Sequence, residues 1–176
     1  MAKSKWAIDP VHSEIIFKVR HMMITNVTGT FDRFSAEMEA DENDFSGSSI
    51  SFEADVASVN TRNEQRDAHL RSNEFFEAEQ FPKLSFKSSS FKNVGGDSFE
   101  LIGTINLRGK SKEMNLKVEK TGKVVDPWGQ TRIGFEIEGS INRSEFGLLW
   151  NAATEDGGVA LSEEVKLRIT AQMLKQ

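Results

Sequence analysis

A chain of 176 residues, 38% of them hydrophobic and 28% charged, is long enough to bury a core of its own without covalent staples. Its net charge of −5 argues against nucleic acid as a partner, because phosphate binding wants a positive surface. It has no cysteine, which excludes disulfides, thiolate metal sites and a cysteine nucleophile, and no apolar run reaches the roughly 18 residues of a membrane-spanning helix, so no stable membrane insertion is expected.

The chain opens with Met1-Ala2-Lys3-Ser4-Lys5 directly before Trp6-Ala7-Ile8-Asp9, with no apolar leader. A cytoplasmic location is therefore the expectation, or a periplasmic one if a leader had been removed. Strands are predicted at about 4–9 and 14–22, where Ile15, Phe17, Val19 and His21 share one face. Further strands follow at about 28–40 (Phe34, Ala36, Met38) and 48–60 (Ile50, Phe52, Ala54, Val56). Asp41–Asp44 with Phe45-Ser46-Gly47 reads as the turn between these two. Phe31 falls off this parity, and a bulge beside Gly29 would explain it.

The alternation stops at Thr61 to Gln80. Thr61 followed by Glu64 has the form of a capping box, with a short helix over 62–71 and a second helical turn at 73–77. Leu70, Phe75 and Phe76 of this insert are expected to plug or line one end of the molecule.

Strands resume at about 83–92, 97–108, 112–126, 130–143 and 163–174, the last two carrying Ile133, Phe135, Ile137, Gly139, Ile141 and Val165, Leu167, Ile169, Ala171, Met173. Phe91 is a second residue off parity, again fitting a bulge. Turns are expected at Asn93–Asp97, Arg108-Gly109-Lys110, Asp126–Gly129 and Asp156-Gly157-Gly158, and a buried turn at Ser144 to Ala153. Short polar connections between long alternating strands suit a meander of hairpins in one domain over residues 1–176. The expected fold is all-β, a closed or nearly closed antiparallel barrel with a short helical insert.

Function then turns on the lumen. The parity sends Phe17, Val19, Phe34, Met38, Phe52, Phe86, Leu101, Ile105, Phe135 and Ile137 inward, together with Phe99 and Met173. Small residues on that face (Ala36, Ala54, Gly103, Gly139) would leave an elongated apolar channel for a long hydrocarbon chain; without such room the barrel would be filled. His21, Arg66, Asp67, His69 and Arg143 are polar where the pattern runs apolar. They would form a cluster at one mouth, with Asp67 fixing an arginine and the cations meeting a ligand head, or else a structural group holding the insert to the barrel. Three histidines, His12, His21 and His69, form no ligand motif, so no metal is expected, and the absence of GxSxG, P-loop and GxGxxG motifs points to neither a catalytic apparatus nor a cofactor.

A series of motifs in fixed order resembles the YceI-like, polyisoprenoid-binding family: Trp6-Ala7-Ile8-Asp9 with His12-Ser13, Phe17-Lys18-Val19-Arg20-His21, Ser58-Val59-Asn60-Thr61, Arg66-Asp67-Ala68-His69-Leu70, Phe81-Pro82-Lys83-Leu84-Ser85-Phe86, Asp126-Pro127-Trp128-Gly129 and Asn142-Arg143-Ser144-Glu145-Phe146-Gly147. The resemblance implies an extended lipocalin-like barrel holding a long isoprenoid, quinone-like or fatty-acyl lipid, its head near the mouth, in a carrier or storage protein that often pairs as a homodimer. Two other readings remain at this stage. One is an enzyme acting on such a lipid through His21, Asp67 and His69; the other is a filled barrel that binds a protein through the surface around Phe146–Trp150.

Overall fold

The computed structural model describes residues 3–151 and 160–176. The expected turn at Asp156-Gly157-Gly158 and the last residues of the Ser144–Ala153 segment lie outside the described residues. The strands are β1 (Ser4–Ile8), β2 (Glu14–His21), β3 (Thr25–Phe31), β4 (Phe34–Asp41), β5 (Asp44–Asp55), β6 (Val59–Asn60), β7 (Lys83–Gly95), β8 (Ser98–Leu107), β9 (Lys110–Val125), β10 (Thr131–Asn142) and β11 (Leu161–Lys175). A helix, α1 (Glu64–Arg71), interrupts them.

Every pairing is antiparallel, and the sheet closes through β11. One edge of β11 pairs with β10; along the other, Lys175–Met173 meet β1 while Thr170–Leu161 meet β2. Likewise β4 lies between β1 and β5, and β3 lies between β2 and β6. So β1 with β2, β3 with β4, and β5 with β6 are three long strands, each broken once. Counted this way the barrel has eight strands in simple up-and-down order, a size whose interior either fills with side chains or holds one ligand.

The break between β1 and β2 falls between the strands expected at 4–9 and 14–22, whereas the other two interrupt strands expected to be unbroken at 28–40 and 48–60; the cause in each case is local hydrogen bonding. At the first, Asp9 caps a short 3-10 turn, Pro10–His12, by accepting from the Val11 amide at 3.0 Å. At the other two, Ser58 serves both: its carbonyl accepts from Asp32 N–H at 3.2 Å and its hydroxyl from Arg33 N–H at 3.0 Å. Phe31 is thus the inward end of a regular strand, not a bulged residue. Phe91 does follow a register shift, between Ser88 and Ser90.

The hairpins β4–β5, β7–β8 and β9–β10 define the base of the barrel. There Trp6, Phe45, Phe99 and Ile133 are buried, with Phe45 6.4 Å from Trp6 and 6.3 Å from Phe135, and Phe91 stacked on Phe99 at 4.7 Å. Phe45 belongs to β5 and to this plug rather than to the turn expected at 41–47. At the opposite, upper end, Leu70 and Phe76 pack onto the core with buried Phe75, Phe146 and Leu148, roofing the barrel.

The helix inside that roof starts two residues later than the 62–71 expected. Its cap is Asn63, whose side chain accepts from Arg66 N–H at 3.0 Å; Arg62 has a left-handed φ of 64°. Thr61 cannot form the expected capping box because its hydroxyl donates to Asp67 at 2.5 Å and accepts from Arg66 Nε at 2.8 Å.

Candidate ligand-binding cavity

Between plug and roof lies a cavity of about 350 Å³. Phe17, Val19, Met38, Phe52, Phe86, Leu101, Ile105, Phe135 and Ile137 line it, as the alternation indicates. Phe34 does not. The strand breaks just before it, so Phe34 sits at the crease, lining a separate hollow with Pro10 and Arg62 while its ring stacks on Phe52 at 6.4 Å. Phe99, committed to the plug, is also absent from the lining.

The space does not come from the small residues as expected. A Cβ on Gly103 would lie 2.4 Å from the Phe86 ring, and one on Gly139 would lie 2.2 Å from Leu116. Neighbouring side chains have leaned into those gaps; of the four small residues only Ala36 reaches the cavity.

Tryptophan apart, the polar lining consists of His21, Arg66, His69 and Arg143. All four belong to the upper end: His21 closes β2, Arg66 and His69 lie on α1, and Arg143 follows β10. Arg143 is 5% exposed and spends its donors on backbone, giving Nε to Ser162 O at 2.8 Å and Nη1 to Leu148 O at 2.6 Å and Trp150 O at 2.9 Å. Burial pulls its pKa below the ordinary arginine value. His69 Nε2 lies 2.9 Å from a Glu74 carboxylate oxygen, and its ring meets Phe75 and Trp150 edge-on, each at 4.9 Å.

Asp67 is the member that departs. It is buried, but it lines no part of the cavity and fixes no arginine. Its Oδ1 accepts from the Thr61 amide at 2.8 Å and from the Thr61 hydroxyl, which ties the helix to the end of β6. Among the described residues, no group of three histidines and carboxylates is placed to hold a metal ion.

The profile of the YceI-like domain matches residues 6–173. A UPF0312 protein of Staphylococcus epidermidis is 35% identical over 170 residues, covering 96% of each chain, and one from Staphylococcus aureus is 33% identical over the same span. The chain belongs to the YceI-like family. Among solved structures, the YceI protein of Campylobacter jejuni superposes with a TM-score of 0.77 at 30% identity over 87% of each chain. BcnA of Burkholderia cenocepacia gives 0.80 at 20% identity, covering 94% of this chain and 98% of that one. A polyisoprenoid-binding domain from Saccharophagus degradans gives 0.69 at 16% identity, covering 97% and 98%.

Residues that the sequence did not assign to the lumen complete this YceI-like cavity. Leu148 and Trp150, expected in a buried turn or else on a partner-binding surface, line it, and so does Leu161. Arg108, read only as part of a turn, binds the two roof segments together: Nη1 donates to Gly147 O at 2.9 Å and Nη2 to Asn73 O at 3.2 Å. Such contacts join distant segments, and no spacing rule reports them.

Proposed function

We propose that this YceI-like barrel is a non-enzymatic carrier that sequesters a long apolar lipid, of polyisoprenoid or fatty-acyl type, with its polar head among His21, Arg66, His69 and Arg143. The observation that carries this reading is the segregation of the lining: apolar side chains along the barrel and polar ones only at the roof. A long chain with one polar end is the ligand shape that this division fits. Each methylene taken out of water contributes about 0.8 kcal/mol, so some 20 of them exceed the cost of ordering the chain. The family membership and the polyisoprenoid-binding neighbour support the same reading.

Asp67 leaves the head-binding group, because it lines no part of the cavity and its Oδ1 is committed to Thr61. His69 is likewise held on three sides, by Glu74, Phe75 and Trp150, which suits positioning better than turnover. Native mass spectrometry of the freshly purified protein, with organic extraction of released material, tests the proposal. A co-purifying lipid of defined mass, lost in a folded Phe135→Asp variant, is the expected result. A clean apo mass that persists after incubation with geranylgeraniol and long-chain fatty acids would overturn it. Turnover of an isoprenoid or acyl lipid that is removed by His69→Ala while binding survives would instead establish the enzyme.

A further inference from the structure

The hairpin that follows β2 is built in a way that works against its own stability. Its turn is closed by the Ile24 amide donating to the His21 carbonyl at 3.1 Å, and Met22 and Met23 both take left-handed φ values, 50° and 62°. Asn-Gly is the pair that such a turn favours; side chains without local polar compensation are disfavoured there. Burial does not offset this. Met22 is 48% exposed, Met23 56% and Ile24 74%. Three consecutive large apolar side chains therefore stand in water on a conformation that suits them poorly, a pattern expected where function rather than stability selects the residues.

Position and charge say what they meet. His21 both lines the cavity and accepts the turn's closing bond, so the exposed tip begins one residue beyond the cavity wall. The Met22 amide donates to Ala160 O at 2.7 Å, fixing the tip beside the start of β11, and Leu149, 67% exposed, lies between the cavity-lining Leu148 and Trp150. In a chain of net charge −5, the stretch from Ile15 to Phe31 contains Lys18 and Arg20 and no carboxylate at all. Arg20 is anchored at the tip, its guanidinium donating to Met23 O at 3.0 Å.

We propose that the Met22-Met23-Ile24 tip, with Arg20 beside it, docks the cavity end of the barrel onto the surface of an anionic lipid bilayer. The apolar side chains enter the headgroup boundary and the cations meet lipid phosphates, the combination that holds peripheral proteins at an interface without spanning it. Docking there sets the lipid's route from bilayer to lumen at its shortest, and in that respect it rests on the carrier reading.

The test uses the full chain and vesicles of equal parts phosphatidylglycerol and phosphatidylcholine. Wild-type protein is expected to sediment with the vesicles, less so as salt rises, and Arg20→Gln to weaken that binding. The triple variant Met22→Asn, Met23→Gly, Ile24→Ser installs the favoured turn pair. It should melt no lower than wild type while partitioning to vesicles at least about tenfold less. Uptake of geranylgeraniol delivered from ethanol should be the same in both. Equal sedimentation of wild type and variant, or none by either, would overturn the proposal. So would a wild type that self-associates in the ultracentrifuge and ignores vesicles while the variant is monomeric, which would assign the tip to a second copy of the chain. Vesicle binding lost in the variant, with geranylgeraniol taken up by neither, would leave docking standing and remove the carrier.

Discussion

At the scale of single residues, the roof of the barrel hangs on Arg143. The 148–150 stretch has no regular structure and must have its carbonyls satisfied by something, and here one guanidinium serves Leu148 and Trp150 together with Ser162 at the start of β11. Arg143→Ala would strand those acceptors in a buried place and should cost about 3 kcal/mol, a drop in Tm of roughly 6–12 °C for a domain of this size. Arg143→Lys should recover only part of that, since an ammonium lacks the planar fork. Thermal melts of the two variants decide the matter, and an unchanged Tm with weakened lipid binding would make Arg143 a head-group ligand alone. The same residue shows what the sequence discloses about the site. His21, Arg66, His69 and Arg143 were recognisable as polar residues out of place in an apolar pattern, and all four line the upper cavity. Asp67 was out of place for another reason, its bonds to Thr61, and composition alone does not separate a ligand-facing carboxylate from one that staples a helix.

At the scale of elements, the period of two located the strands because one face of each is dry and the other wet, so a single parity runs through Ile133, Phe135 and Ile137 and again through Leu167, Ile169 and Ala171. Long strands were therefore legible. The breaks at Asp32–Arg33 and Val56–Ser58 were not, because they depend on Ser58 bonding across to a different strand. Glycines inside strands were legible as positions without side chains but not as places filled by a neighbour. The ring of Phe86 crosses Gly103, and a Cβ there would also meet the Lys87 carbonyl at 2.5 Å, where backbone cannot step aside. Gly103→Ala should thus destabilise the barrel by about 1–3 kcal/mol through overpacking, measured by urea unfolding. Paired with Phe86→Leu, which withdraws the ring but not the carbonyl, it should recover in part; full recovery would show that the ring was the whole obstacle.

At the scale of the whole molecule, the barrel's outer wall is tied by carboxylates that join segments distant in sequence. Asp9, which accepts from His12 and from Arg132 Nη1 at 2.9 Å, links the β1–β2 junction to β10, and Arg132 Nε reaches Asp126 in the β9–β10 turn at 2.8 Å. Glu42 joins the β4–β5 turn to Lys175 and to Lys123. The pKa of Asp9 is lowered chiefly by the His12 hydrogen bond, that of Asp126 by the bond from Arg132, and that of Glu42 by the bond from Lys175. A carboxylate whose folded pKa lies below its unfolded one adds stability that is fully present above the unfolded value, about 4, and is lost as pH falls through the folded value. The melting temperature should therefore respond little to these groups between neutrality and about pH 5 and decline below about pH 4. Arg132→Gln removes the partner that holds Asp126 down and one of those that lower Asp9, so both move back toward ordinary values. The variant should start less stable at neutral pH and then lose less on acidification, the two melting curves converging as the carboxylates protonate. Parallel decline in wild type and variant would mean that Arg132 braces the wall by packing, with its charge contributing nothing to the acid response.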